Sequence, residues 1–376
     1  MQRLSRFLAM MCAGVALCWQ AGAAAQTPNN RLVTVLACQP TAPCNERLPV
    51  RIVVVTMFEI GKDSGDAPGE FQFWKERRHL DVRLRFPQSY HDLYYNPDSQ
   101  ILGMVTGMGS IRSATATLAL GLDPRFDLSH AYWLVAGIAG VDPHQASIGS
   151  AAWAHYVVDG DLAHEIDARE IPKGWPSGYF ALHSKGPGDP TPLAPVNGEM
   201  FELNPALADW AYDLTKDLPL ADDPQIGAAR VQYTGFPLAQ RPPFVLQGDN
   251  LAAMTFWHGR LMTDWAQDWV KFWTGGKGTF VTSAMEETGT FQSIEYLAKV
   301  GRADRNRVMV LRGASNFTMP PPGVSAADYL LRENQGYAGM HAALESLYLT
   351  GSKVIDELLA HWDRYELAPP AGKSPR

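Results

Sequence analysis

Two short stretches carry the side chains with the most chemistry. The first, Ser283-Ala284-Met285-Glu286-Glu287-Thr288-Gly289, sets two carboxylates where a strand pattern gives way to a helical one. Carboxylates at such a junction serve either as charges at a helix N-terminus or as acceptors for sugar hydroxyls, and both readings fit Glu286 or Glu287. The second, Val310-Leu311-Arg312-Gly313-Ala314-Ser315-Asn316, ends an apolar run in a guanidinium. An arginine at the end of a buried strand needs a carboxylate or an anion as partner. One account is a buried structural Arg–Glu pair. The other is a site in which Arg312 and Glu286 fix water, phosphate or ribose.

Two glycine-bearing stretches add to this. Thr106-Gly107-Met108-Gly109 and Gly137-Ile138-Ala139-Gly140 each close a strand pattern. Glycines at a strand-to-helix turn let backbone amides approach an anion or a sugar. Two such turns at neighbouring strand ends carry more weight than one.

The elements that must position these groups can be read from periodicity. Residues 51–57 form a continuous β-branched run, which predicts a buried strand of a parallel or mixed sheet. Further strands are predicted at 100–106, 131–136, 152–158, 244–246, 279–282 and 308–311. A helix is predicted over 111–122, and two more across 326–365, parted near Gly351. Residues 170–200 are rich in Pro and Gly and read as a long surface excursion or lid. Strands that end in glycine turns and feed helices predict an α/β fold, a central mixed β-sheet flanked by helices, with its site at the strand ends.

The order of these motifs (glycine turn, second glycine turn, Gly248-Asp249-Asn250, Met285-Glu286, then Arg312 to Asn316) resembles nucleoside phosphorylases and nucleosidases. The likeness is greatest to the purine nucleoside permeases, and it runs from about residue 51 to near 349. The resemblance implies a nucleoside phosphorylase-like fold and a purine nucleoside ligand. It implies that Met285 and Glu286 hold ribose, that Ser315 and Asn316 meet the N7 side of the purine, and that Asn250 and Leu251 lie near the base. Thr106, Gly107 and Gly137 are implied as backbone contacts to ligand.

Two departures qualify the likeness. The family has aspartate where this chain has Asn316, and an amide has no proton to give at neutral pH. Asparagine in this role leans toward 6-oxopurine nucleosides, inosine or guanosine. Phosphate-using relatives place an arginine and a serine where this chain has Val135 and Ile138, neither of which can bind phosphate. Nucleosidases of the same fold instead hold a water with a carboxylate after the first strand, the Met-Glu glutamate and the final-strand arginine. The matching groups here are Glu59, Glu286 and Arg312. Hydrolysis is therefore expected over phosphorolysis. The alternative is a non-catalytic component of nucleoside uptake, working with a separate membrane transport component, or a pocket that only senses ligand. The family also carries an expectation of oligomers.

Other residues carry less. His91, His130, His144 and His155 lack ligand spacing, so no metal or other cofactor is expected. His258 reads as structural or as part of the wall of the base pocket. Trp257, Trp265, Trp269 and Trp273 recur at near-helical spacing and read as core or interface. Ser64 and Ser113 sit in no nucleophile context.

Residues 1–25 combine basic residues, a short apolar run and Ala23-Ala24-Ala25, the pattern of a cleavable export signal, so a periplasmic or secreted protein is expected. Residues 26–48 read as an extended, exposed leader. Cys38 and Cys44 are the two cysteines beyond the signal, and in an oxidising compartment they are expected to pair. Residues 49–366 are expected to form a single domain, with a disordered tail at 367–376. The formal net charge of -7 gives no basic footprint for nucleic acid.

Overall fold

The β-branched run forms β1 (Ile52–Thr56), in which every side chain is buried. Burial on both faces is what such a run requires, and it puts β1 inside a sheet. The computed structural model describes residues 28–371 except 40, 41, 190 and 192. The remaining strands of that sheet are β2 (Val82–Leu84), β3 (Leu93–Asn96), β4 (Ile101–Val105), β5 (Tyr132–Val141), β6 (Ala151–Trp153), β7 (Tyr156–Asp159), β8 (Met200–Glu202), β9 (Val245–Gln247), β10 (Asp249–Ala252), β11 (Phe280–Ala284) and β12 (Val308–Phe317). Their order is β8-β7-β10-β11-β5-β1-β4-β3-β2, with β12 against β5 and β6, and β9 against β6. The sheet is mixed: β1 runs parallel to β4 and β5, β12 runs parallel to β5, and β11 is antiparallel to β5.

Helices that bear on the core or the site include α1 (Pro28–Ala37), α2 (Gln72–Arg77), α3 (Ser110–Leu122), α4 (Arg260–Trp273), α5 (Glu287–Lys299), α6 (Ala326–Glu333) and α7 (Met340–Ala360). The alternation along β1 assigns several of them to faces. Val53 and Val55 share a core with Leu120 of α3 and Phe291, Ile294 and Leu297 of α5. Ile52 and Val54 share another with Trp74 of α2 and Leu347, Val354 and Leu358 of α7. Slipping β1 by one residue would exchange the two faces, so packing holds the register that positions the strand ends.

Several elements depart from the sequence-based expectations. The stretch Gly137 to Gly140 is not a turn, because β5 continues through it to Val141. Likewise β12 continues through Arg312 and Asn316 to Phe317. Each strand is held by the other, with Arg312 opposite Gly137 and a bulge between Ala314 and Asn316. Residues 152–158 divide into β6 and β7. At the division, the Asp249 carboxylate accepts from the amides of His155 and Tyr156, at 3.1 and 2.8 Å. Gly351 lies inside α7 and does not end it. A Cβ there would meet the Trp74 ring at 2.7 Å, so glycine serves close packing. Residues 28–37, expected to be extended, form α1, with Leu32 and Val35 in the core. Cys38 and Cys44 are joined by a disulfide. The export pattern at 1–25 and the last tail residues, 372–376, lie outside the described residues.

Candidate functional site

The C-terminal ends of β1 and β11 and the distal half of β12 converge beside β5. Just past β1 and β11 the chain leaves the sheet, and the amides of Met57 and Met285 turn to carboxylates, those of Glu70 and Glu286. A cavity of about 270 Å³ opens at this point, lined among others by Met57, Glu70, Met108, Ile138, Met285, Glu286, Ser315 and Asn316.

Beneath it lies a buried cluster of charge. Arg312 is fully buried on β12. Its Nε donates to Glu287 Oε1, its Nη2 to Glu286 Oε2 at 3.2 Å, and its Nη1 to the Ile138 carbonyl at 3.0 Å. Burial disfavours its charge, but Glu287, Glu286 and Glu70 outweigh that and hold it protonated. Glu286 is also held by backbone donors: the Gly109 amide at 3.1 Å and the Met285 amide at 3.2 Å. Ser113 Oγ donates to the Glu286 carbonyl at 2.7 Å. The structure thus brings the first glycine turn to Glu286 through an amide, and gives Ser113 a supporting part.

The carboxylate beside β1 is Glu70. Its Oε2 accepts from the Met57 amide and its Oε1 from the Ile138 amide, both at 2.7 Å. Burial pushes its pKa up to about 8, with the charge of Glu286 adding to the rise and Arg312 opposing it. Burial likewise raises Glu286, again against Arg312. Three carboxylates around one guanidinium cannot all ionise cheaply in a dry site, so the cluster keeps a proton near neutral pH. Groups poised in this way suit general acid–base work.

Glu59, the carboxylate expected in this position, is elsewhere. Its Oε2 accepts from the amides of Phe71 and Gln72, at 2.9 and 2.6 Å, and its Oε1 from Gly69. These donors flank Glu70, and the Glu70 amide in turn donates to the Phe58 carbonyl at 3.1 Å. Glu59 therefore fastens the loop that presents Glu70. No local pattern marks Glu70, which reaches the site by a loop closing back on its own strand.

Gly137 is also corrected. A Cβ there would meet Arg312 Nη1, and would come within 2.8 Å of both Glu70 Oε1 and Met57 Sδ. Glycine at this position makes room for the charge cluster. Asn250 and Leu251 are fully buried in β10 and do not line the cavity. Asn250 Nδ2 donates to Thr282 Oγ1 at 3.2 Å. Thr106 is buried and bonds to the Gly107 carbonyl, at 2.9 Å. Met108, not Gly107, lines the cavity.

On the opposite wall, Asn316 Oδ1 accepts from Ser315 Oγ at 2.9 Å, and its Nδ2 faces Glu333 Oε2 at 3.4 Å. The bulge in β12 turns both residues toward the cavity, a common use of bulges beside sites. Residues 176–189 line a different cavity, against α4, and do not cover Glu286. Among the described residues, no group of three or more His, Cys, Asp or Glu could hold a metal ion. None of their helices is long and apolar enough to cross a membrane.

An α/β sheet with a buried, hydrogen-bonded charge cluster at its strand ends defines a small-molecule site. Residues 49–369 match the purine nucleoside permease (NUP) family. A purine nucleoside permease of Candida albicans is 31% identical over 278 residues, covering 73% of this chain and 68% of its own length. A Schizosaccharomyces pombe protein named as a probable purine nucleoside permease is 29% identical over 281 residues, covering 73% of this chain and 80% of its own. Among solved structures, a Campylobacter jejuni 5'-methylthioadenosine/S-adenosyl homocysteine nucleosidase overlays 83% of this chain and 99% of its own. Its TM-score is 0.48 at 11% identity, a likeness that carries no argument about activity. The chain belongs to the purine nucleoside permease family.

Proposed function

We propose that this protein binds purine nucleosides in the Glu286 cavity and hydrolyses their N-glycosidic bond. One observation carries the reading: Glu70 and Glu286 meet over buried Arg312 at the floor of a nucleoside-sized cavity. In such a reaction the bond from C1' to the base breaks and the base leaves with the electron pair. Positive charge builds on the sugar, and the Glu286 carboxylate at the ribose hydroxyls stabilises it. Glu70 takes a proton from the water whose oxygen bonds to C1'. The Asn316 amide donates a hydrogen bond to the departing base, which is protonated from solvent. Val135 and Ile138 stand where phosphate-using relatives carry arginine and serine, which favours water over phosphate as the acceptor.

The test is incubation with inosine, guanosine and adenosine, with and without phosphate, following free base by chromatography. Base release that does not need phosphate supports hydrolysis. Release only with phosphate, yielding ribose 1-phosphate, overturns it.

One observation favours a second reading. Asn316 cannot protonate a leaving base, and a pocket without that acid suits binding within an uptake system that includes a separate membrane component. Tight binding measured by calorimetry, with no base released under either condition, would select that reading. We further propose export, supported by the Cys38–Cys44 disulfide, since such bonds persist in oxidising compartments. Fractionation of cells expressing the full chain tests it: recovery in the cytosol only, with residues 1–25 retained, would refute export.

A further inference from the structure

Helix α6 buries none of its residues as a whole. Its last one, Glu333, nonetheless turns its side chain inward, and that side chain is only 8% exposed. A carboxylate withdrawn from water on an otherwise solvated helix is costly unless something inside receives it. What receives it is Asn316, whose Nδ2 lies 3.4 Å from Glu333 Oε2.

The surroundings leave Glu333 little else to bind. His258 Nδ1 is 3.9 Å away, beyond hydrogen-bond reach. Neither ring nitrogen of His258 has a hydrogen-bond partner among the described residues. Burial lowers the His258 pKa to about 4, so it is neutral and offers no cation. Its ring stacks on Tyr329 at 5.3 Å. Arg332 sits over the other aromatic partner of that stack, with its guanidinium 5.2 Å from the Tyr329 ring.

We infer that Glu333 is a positioning residue that locks the Asn316 amide with its NH2 group on the base side, and so sets which purines the cavity accepts. The inference rests on the nucleoside reading above. An asparagine amide can present either a donor or an acceptor, and only its neighbours decide which. Here Ser315 Oγ donates to Oδ1 and Glu333 accepts from Nδ2, so both ends of the amide are specified. Whether ionised or protonated, a carboxyl group keeps an oxygen able to accept. The second hydrogen of Nδ2 has only a long contact, 3.5 Å to the neighbouring Phe317 carbonyl, which an acceptor in the cavity can replace. That donor complements N7 and O6 of a 6-oxopurine, and it opposes the amino group of adenine. A reversed amide would invert both matches. Glu333 does not line the cavity, and its one hydrogen bond toward a lining residue, among the described residues, is to Asn316.

The test is steady-state base release from inosine and adenosine by the full chain and its Glu333→Leu and Glu333→Gln variants. Leucine fills the space but cannot accept. It is expected to lower the inosine-to-adenosine ratio of kcat/KM by about tenfold, the equivalent of one lost hydrogen bond. The loss falls on kcat for inosine, because the bond strengthens as charge develops on the base. Glutamine retains an acceptor and is expected to restore the ratio to within about threefold of the parent, which a merely structural role for the carboxylate does not predict. If Glu333→Leu does not fold, Glu333→Ala, which leaves the end of α6 to water, reads the same ratio. Equal losses for both nucleosides, or an unchanged ratio, overturn the assignment. If the parent chain binds but does not cleave, the same ratio is read from calorimetric affinities. If it neither binds nor cleaves either nucleoside, the nucleoside reading itself fails and the role of Glu333 falls with it.

Discussion

Two of the cavities among the described residues differ in both size and chemistry. The larger, about 530 Å³, lies between residues 176–189 and α4, and Tyr179, Phe180, Trp265, Trp269 and Phe272 form much of its wall. Its charged groups stay wet: Asp268 is exposed, and Asp264 pairs with Arg260 in a solvated i,i+4 bridge. The smaller, about 270 Å³, has buried Glu70, Glu286 and Arg312 at its base. Apolar volume follows readily when an amphipathic helix meets a surface segment that carries only one short strand, Tyr179–Ala181. Buried charge does not, because desolvation costs several kcal/mol per ion and only good geometry offsets it. The poised ionisable groups therefore lie with the smaller cavity, and substitutions in the two regions should behave differently.

The largest effect is expected at Arg312. Arg312→Met leaves Glu286 and Glu287 buried without their cation and should destabilise the fold by ~3–5 kcal/mol in urea denaturation. A loss below about 1 kcal/mol would mean that the cluster is wetter than the hydrogen bonds indicate.

Next is Glu286→Gln, which keeps the shape but removes the charge that would face the ribose. Base release should fall ~10²–10³-fold with the fold intact. Near-parental rates would move the catalytic role away from this cavity.

Glu70 gives a pH signature. Native Glu70 holds its proton up to about 8, whereas the unfolded carboxylate releases it near 4.5. The folded state thus binds more protons between those values, and the stability from this group falls as pH rises through that window. Denaturation between pH 4.5 and 8 should show that decline, and Glu70→Gln should flatten it. If Glu70 is also the base for water, kcat/KM should climb with pH and level off above about 8. A profile that falls over this range would give the carboxyl the opposite role.

The smallest effect is expected in the larger cavity. Asp268→Asn, at an exposed position of α4, should change stability by no more than ~0.5 kcal/mol and leave base release unaltered. A clear loss of activity there would show that the two cavities are coupled.

Much of the fold is legible in the residues. The β-branched run at 52–56, the helix after Gly109 and the strand that begins at Val308 all form where local periodicity puts them. Met285, Glu286, Ser315 and Asn316 do come together around one cavity. The departures share a cause. Glycine commonly ends strands, so Gly137 and Gly140 resemble a turn. In the fold, Gly137 makes room for the guanidinium of a strand that is distant in sequence. Asn250 resembles a loop residue beside Gly248, but pairing with β7 and β11 buries it.

The sequence alone determined the alternation that builds the sheet, the family, and the identity of the ionisable groups on its central strands. These rest on local pattern and on composition, which one chain carries in full. Only the tertiary structure decided that Glu70 enters the site while Glu59 fastens its loop, and that Glu333 closes on Asn316 from another helix. Those choices depend on contacts between segments far apart in the chain, where desolvation and hydrogen-bond geometry select one carboxylate over another of the same type.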